Sequence, residues 1–253
     1  MRALIRLRIP CQEEFIAFYG LLKSFGFLTN YLVCKIEGYG KKICQESVMP
    51  RSGAKTKSLI LDAAHELVMG HGLAGTSIDM VLAKAEVTKG AFFYHFKTKA
   101  DLARALVQRY ADNDAAHLEG QLSRAEKLSR DPLQQILIFI GLLQEEVEQL
   151  ADPGGGCLIA SFIYQFEDLD TEVRTISAGS FLEWRQRLGK KFEAAIAQTP
   201  PQLPVKAEEL ADAIVSTFEG GFVMMRVLQD PRQLAQQLAH YRNYIELLFG
   251  IAT

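Results

Sequence analysis

The chain has 253 residues, enough for one large domain or two with a substantial core, and it is close to electroneutral, with 28 basic against 30 acidic side chains. The charge is unevenly spread: residues 51–110 carry nine basic and five acidic groups, whereas residues 111–253 carry twelve and twenty-one. A basic module ahead of an acidic body suits contact with a polyanion through one end only. Three of the four cysteines, Cys11, Cys34 and Cys44, precede residue 50 in no zinc-binding spacing and without a histidine cluster, so neither a metal site nor a disulfide framework is expected, and a reducing cytoplasm is the expected location.

Residues 1–48 are unlike the rest. Arg2, Arg6 and Arg8 precede an apolar run from Phe15 to Val33 that Lys23 interrupts. Two readings compete. One is a signal anchor, for which the run is only just long enough and Lys23 costs about 3 kcal/mol on insertion scales. The other, carried forward here, is that translation starts at Met49 and that 1–48 is upstream sequence, because Met49 opens a short basic arm leading straight into a helical pattern. No membrane association is then expected.

From Lys55 the residues Leu59, Ile60, Ala63, Ala64, Leu67 and Val68 recur at helical spacing, and Gly70 and Gly72 are expected to end that helix. Thr76 or Ser77 can cap a second helix, with Asp79 as capping-box partner and Ile78, Val81, Leu82 and Ala85 on its apolar face. Thr88 can cap a third that begins Lys89-Gly90-Ala91, with Phe92, Phe93 and Phe96 as anchors. Two short helices and a tight turn make a helix-turn-helix whose second helix enters the DNA major groove by its N-terminal end. Gly90 and Ala91 are small enough for close approach. Thr88, Lys89, Tyr94, His95 and Lys99 supply donors.

Gly75-Thr76-Ser77, Ala85 through Gly90, Phe93-Tyr94-His95-Phe96 and Thr98 through Leu102 together resemble the DNA-binding domain of TetR-family transcriptional repressors over about Lys55 to Tyr110. The resemblance implies that Thr88, Lys89 and Gly90 reach the groove, with Ala91 beside them in the DNA-binding set, while Thr76, Ser77, Tyr94, His95 and Lys99 hold phosphates. Two positions depart from the family pattern. Glu86 stands where a turn glycine is usual, at a cost of about 1 kcal/mol if φ must be positive. Phe93 stands where a phosphate-binding tyrosine is usual.

Beyond Thr98, a capping box with Asp101 opens a long helix to about Glu119 or Lys127. Asp131-Pro132 starts another, with Ile136, Leu137, Phe139, Ile140, Leu143 and Val147, broken by Asp152 to Gly156. An apolar helix from Cys157 through Phe166, a long one over 170–198, a Pro-rich linker over 199–204, and two last helices over 205–229 and from Pro231 complete the chain. No period-2 pattern appears after residue 50, so the fold is expected to be all-α: an extension over 1–48, a helix-turn-helix domain over 49–112, and a helical regulatory and dimerisation domain over 113–253.

No catalytic constellation is visible. Glu145, Glu146 and Glu148 are adjacent charges on one face, and Gly179-Ser180 lacks a hydrolase elbow; a helical enzyme is the remote alternative. The family resemblance implies a homodimer on a palindromic double-stranded DNA operator, released by a small-molecule inducer, with no cofactor. The dimer interface is expected on the last two helices at Phe218, Phe222, Leu238, Tyr241 and Ile245. An apolar or aromatic inducer is expected in a pocket of Phe139, Leu143, Phe162, Phe166 and Trp184, with Cys157 at its edge. Cys157 follows three glycines at a helix start, which favours a thiolate and opens a second reading, an electrophile- or redox-sensing repressor; the competing role is an inert apolar filler.

Overall fold

The computed structural model describes residues 53–149, 156–163 and 170–251, all within one packing unit, Pro50–Thr253. The expectations for residues 1–48, for the Asp152–Gly155 break and for the helix beyond Ile163 lie outside these residues. Among the described residues there are nine α-helices and no strand: α1 Gly53–Gly75, α2 Ile78–Ala85, α3 Lys89–His95, α4 Lys99–Leu128, α5 Pro132–Glu148, α6 Leu158–Ile163, α7 Thr171–Gln198, α8 Ala207–Leu228 and α9 Arg232–Leu248. The fold is all-α.

The helix starts follow from local chemistry. Ser77, Thr88, Thr98, Asp131 and Asp170 each occupy an N-cap with extended backbone and accept a first-turn N–H. At α4 the box is reciprocal: Asp101 N donates to Thr98 Oγ1 at 3.1 Å, and Thr98 N donates to Asp101 Oδ2 at 3.0 Å. Pro132 occupies the first turn of α5, where its missing N–H costs nothing. Of the two glycines expected to end the first helical run, Gly70 stays inside it and Gly72 breaks it: its backbone (φ 72°, ψ 167°) is non-helical, and a further short helical turn follows to Gly75.

Two apolar clusters organise the chain. The first joins Ile60, Ala64 and Val68 of α1, Val81 of α2, Phe92 of α3 and Leu102, Leu106 and Val107 of α4. It also takes in Leu158, Ile159 and Phe162 of α6 and Val173 of α7, so the head shares its core with the start of the regulatory segment. The second joins the C-terminal half of α4 to α5, α7, α8 and α9 around Phe139, Ile140, Phe192, Ile214, Leu234 and Leu238. Each fully buried Leu, Ile or Phe in these clusters contributes about 1.5–3 kcal/mol. Helix α7 packs on α8, α8 on α9, α9 on α5, and α4 on both α5 and α7.

Candidate nucleic-acid interface and regulatory interior

The helix-turn-helix is held from inside. Phe92 and Phe96 are buried, and Phe92 meets Phe93 edge-on at 5.3 Å. The turn between α2 and α3 passes through Glu86 at φ 52°, ψ 46°, the left-handed conformation that a glycine would adopt without strain; its N–H still closes on Leu82 O. Tight reversal there leaves α3 projecting its first turn outward. Thr88 accepts from Ala91 N at 3.2 Å, Lys89 and Gly90 are exposed, and Ala91 is half-buried. A Cβ added at Gly90 would meet nothing within 4 Å, so no packing inside the chain demands glycine there. Tyr94 is 77% exposed, against a half-buried His95 at 4.9 Å edge-on.

Lysines ring this end. Lys89 lies 6.0 Å from the Phe93 ring centroid, Lys97 Nζ donates to Phe93 O at 2.8 Å, and Lys99 Nζ donates to Ala74 O at 3.4 Å. Lys97 was not among the residues expected here, although its place two residues past the helix in a basic run was legible. Ser77 is exposed and accepts from Met80 N at 3.2 Å. Thr76 departs from its expected role. It is buried, and its hydroxyl donates to Gly72 O at 2.8 Å, so it ties down the kinked end of α1 instead of facing a phosphate.

The family model for bacterial regulatory proteins, tetR family, matches residues 60–106, and that for the tetracyclin repressor-like C-terminal domain matches residues 132–241. The chain belongs to the TetR family of transcriptional regulators. It is 26% identical over 179 residues to an uncharacterised HTH-type transcriptional regulator of Lactococcus lactis, covering 69% of this chain and 85% of that one. Identity to the HTH-type transcriptional repressor DhaR of a Mycobacterium species is 22% over 179 residues, 71% of this chain and 86% of that one. Among solved structures, a TetR-family regulator from Agrobacterium tumefaciens superposes with a TM-score of 0.64 at 22% identity, over 78% of this chain and 99% of that one.

In TetR-family terms the body should hold the inducer and the dimer contact. The expected pocket does not assemble. Phe139 and Leu143 are fully buried in the second cluster, with Trp184 against them at 6.2 Å from Phe139. Phe162 is fully buried in the first cluster, with Cys157 packed against it. Phe166 lies outside the described residues. The expected lining is therefore split between two cores, because both helix faces of this segment are apolar and periodicity alone does not say which core each face joins. An open groove of about 370 Å³ lies elsewhere, lined by Gln144, Glu148, Arg232 and Gln236 among others.

What α4, α7 and α8 bring together instead is polar. Trp184 Nε1 donates to Asp114 Oδ2 at 2.7 Å and Ser180 Oγ donates to the same oxygen at 3.1 Å. Burial pushes the Asp114 carboxyl up, against the pull of these two donors. Glu219 is pushed up by burial as well, and it is hydrogen-bonded to Cys157. Burial, reinforced by the nearby Glu219 charge, pushes the Cys157 thiol up to about 12. The helix-end amide, Ala160 N at 3.4 Å from Sγ, pulls the other way and loses. The thiolate that a helix start would favour does not form: desolvation and a facing carboxylate outweigh one turn of helix, which agrees with the reading of Cys157 as a buried filler.

The hairpin of α8 and α9 also corrects the expected interface. Leu238 and Ile245 are 0% exposed and Tyr241 is buried with its hydroxyl donating to Leu210 O at 2.7 Å. These three belong to the chain's own core. Phe218 and Phe222 are half-buried, 5.1 Å apart edge-on, and lean on the same core. The outward apolar surface lies at other positions: Val223, Met224 and Val227 on α8, and Tyr244 and Leu247 on α9. Val227 and Leu247 are the most exposed of these, at 74% and 63%.

Proposed function

We propose that the protein is a homodimeric repressor that binds a palindromic operator through α3 of each protomer and leaves it when a small apolar or aromatic molecule enters the body. The observation that carries this reading is the outward first turn of α3, where Thr88, Lys89 and Gly90 stand exposed on a rigid base and Gly90 serves no packing inside the chain. Ser77, Tyr94, His95 and Lys99 flank that turn as candidate phosphate contacts. The apolar outward face of the α8–α9 hairpin supports pairing with a second copy, which would bury Val223, Val227, Tyr244 and Leu247. Family membership and the repressor DhaR among its relatives support the same direction of control.

For the inducer, entry beside Trp184 between α5, α7 and α8 is the favoured route, since Phe139, Trp184, Phe218 and Phe222 form a continuous aromatic series there. The thiol-sensing alternative is disfavoured by the raised Cys157. A quinone or aldehyde should act equally on the parent and on Cys157→Ser. The test of the whole reading is binding of the purified protein to DNA from upstream of its own gene. A two-fold symmetric footprint is expected, and Lys99→Ala should weaken all sequences alike while reducing the salt slope by about one unit. No retardation of that DNA at low salt would overturn it.

A further inference from the structure

Arg104 sits in the second turn of α4, six residues past the capping residue Thr98, and its guanidinium reaches across to the start of α7. Nη2 donates to Asp170 Oδ2 at 2.6 Å, Nη1 lies 3.4 Å from Asp101 Oδ1, and Nε lies 2.8 Å from Glu172 Oε2 without the alignment of a hydrogen bond. Two of these partners already have a structural task. Asp170 is the N-cap of α7, taking Glu172 N at 2.8 Å and Val173 N at 3.2 Å on its other oxygen. Asp101 closes the capping box that begins α4 directly after the recognition helix and Phe96. One side chain therefore joins the cap of α4 to the cap of α7.

The apolar packing beneath is continuous. Val173, one turn into α7, is 1% exposed in the head cluster with Leu102 and Leu106. Apolar contact resists separation but allows sliding, because it has no preferred direction. A guanidinium held by three carboxylates has direction. It fixes where along α7 the first turn of α4 can sit. Elsewhere the head and body are also tied by Arg226 Nη2 donating to Met69 O at 3.2 Å, a single contact with no charge partner in it.

We propose that Arg104 is a positioning residue for operator recognition, a strap that fixes the tilt of the head on the body and thereby the separation of the two recognition helices in the dimer. This rests on the dimeric-repressor reading above. Arg104 touches no DNA in this scheme. It acts through Asp101, Thr98 and the short link to α3, and a small change in tilt at that hinge is amplified at the far end of the head. Because a dimer reads two half-sites about one helical turn apart, the strap's effect falls on spacing, not on the bases read.

The experiment uses the full chain and a series of operators, each carrying the same two half-sites with one base pair added or removed between them. Wild-type protein is expected to prefer one spacing. Arg104→Gln should keep its melting temperature within a few degrees, keep the same preferred half-site sequence, and lose on the order of fivefold of its discrimination between spacings, the scale of one partly exposed ion-pair network. Glu172→Gln, at a 62% exposed side chain that cannot disturb the core, should lose part of the same discrimination, and the double variant no more than Arg104→Gln. If Arg104→Gln retains the wild-type spacing profile, the strap is wrong; if it binds no operator at all, Glu172→Gln decides alone, and an unchanged profile there is equally fatal. Hydrogen exchange of the free protein separates the two readings. Faster exchange of the Glu172 and Val173 amides in Arg104→Gln, in a protein whose wild type shows no spacing preference, would uphold the strap's hold on α7 and overturn the operator reading; unchanged exchange would overturn the strap.

Discussion

The recognition end and the α8–α9 hairpin both show apolar periodicity with polar residues between, and the folded chain treats the two very differently. Of the nine residues expected to contact DNA, Ser77, Thr88, Lys89, Gly90 and Tyr94 are exposed, Ala91, His95 and Lys99 are half-buried, and Thr76 alone is buried. On the hairpin, Leu238, Tyr241 and Ile245 point into the protomer. The difference is one of contrast. Helices α2 and α3 are short, and their outer faces are polar, so an apolar residue there has one place to go. Helices α8 and α9 carry apolar residues on two faces, and a helical repeat identifies a face without saying what it packs against.

The sharpest way to separate the two faces is a pair of substitutions. Leu238→Glu places a charge in a fully buried site and should cost on the order of 4 kcal/mol, lost as unfolding of the protomer in urea titration. Val227→Glu, at a 74% exposed position, should change protomer stability by less than about 0.5 kcal/mol yet give monomers in sedimentation. A folded monomeric Leu238→Glu would restore the original assignment.

Next in size is Gly221→Ala. An added Cβ would lie 2.5 Å from Leu234 Cδ1 and 3.1 Å from Leu234 Cα, so α8 and α9 approach there as closely as backbones allow. Leu234 can turn its methyl away, but its Cα cannot move without shifting α9. A loss of about 1–3 kcal/mol in chemical denaturation is expected, and a neutral result would mean that α8 and α9 can part at this point without cost.

What was legible in the sequence follows the same contrast. The caps at Thr88, Thr98 and Asp131 were readable because a hydroxyl or carboxylate before an apolar run has few other uses. The break at Gly72 was readable from the glycine, but the short turn that follows it to Gly75 was not, since no cap or apolar repeat marks it. Asp114, Glu219 and Arg104 gave no signal at all. Their partners are 70, 62 and 66 residues away in Trp184, Cys157 and Asp170, and only the folded chain brings them together.

Glu86 offers a smaller test on the recognition side. The sequence flagged it as a residue in a glycine's place, and φ 52° confirms the conformation. Glu86→Gly should stabilise the protein by up to about 1 kcal/mol, offset in part by the greater freedom of glycine in the unfolded chain. Thermal unfolding should show the rise. Operator affinity should not fall, since the Glu86 side chain makes no described contact with α3. A loss of stability would mean that the turn does not adopt this conformation.

The smallest expected effect lies where α4 meets α5. His117 Nε2 is 3.2 Å from Glu146 Oε2, which also accepts from Gln121 Nε2 at 3.0 Å. The bond to Glu146 raises His117 above its ordinary 6.5 despite burial. For Glu146, burial favours the neutral acid, but the bonds from His117 and Gln121 outweigh it and hold the carboxyl below 4.5. The histidine's contribution is therefore complete below pH 6.5 and is lost as pH rises through its raised folded value. The carboxylate's contribution is complete above pH 4.5 and is lost as pH falls through its depressed one. Both act together only between these limits. With both side chains nearly 40% exposed, the pair is worth less than about 1 kcal/mol. His117→Gln keeps a donor but removes the charge. Its urea midpoint should fall furthest below wild type near pH 5.5 and converge with it by pH 9, where wild-type His117 is neutral too. A gap that stays constant across that range would show that packing, and not charge, is what His117 contributes to the seam of α4 and α5.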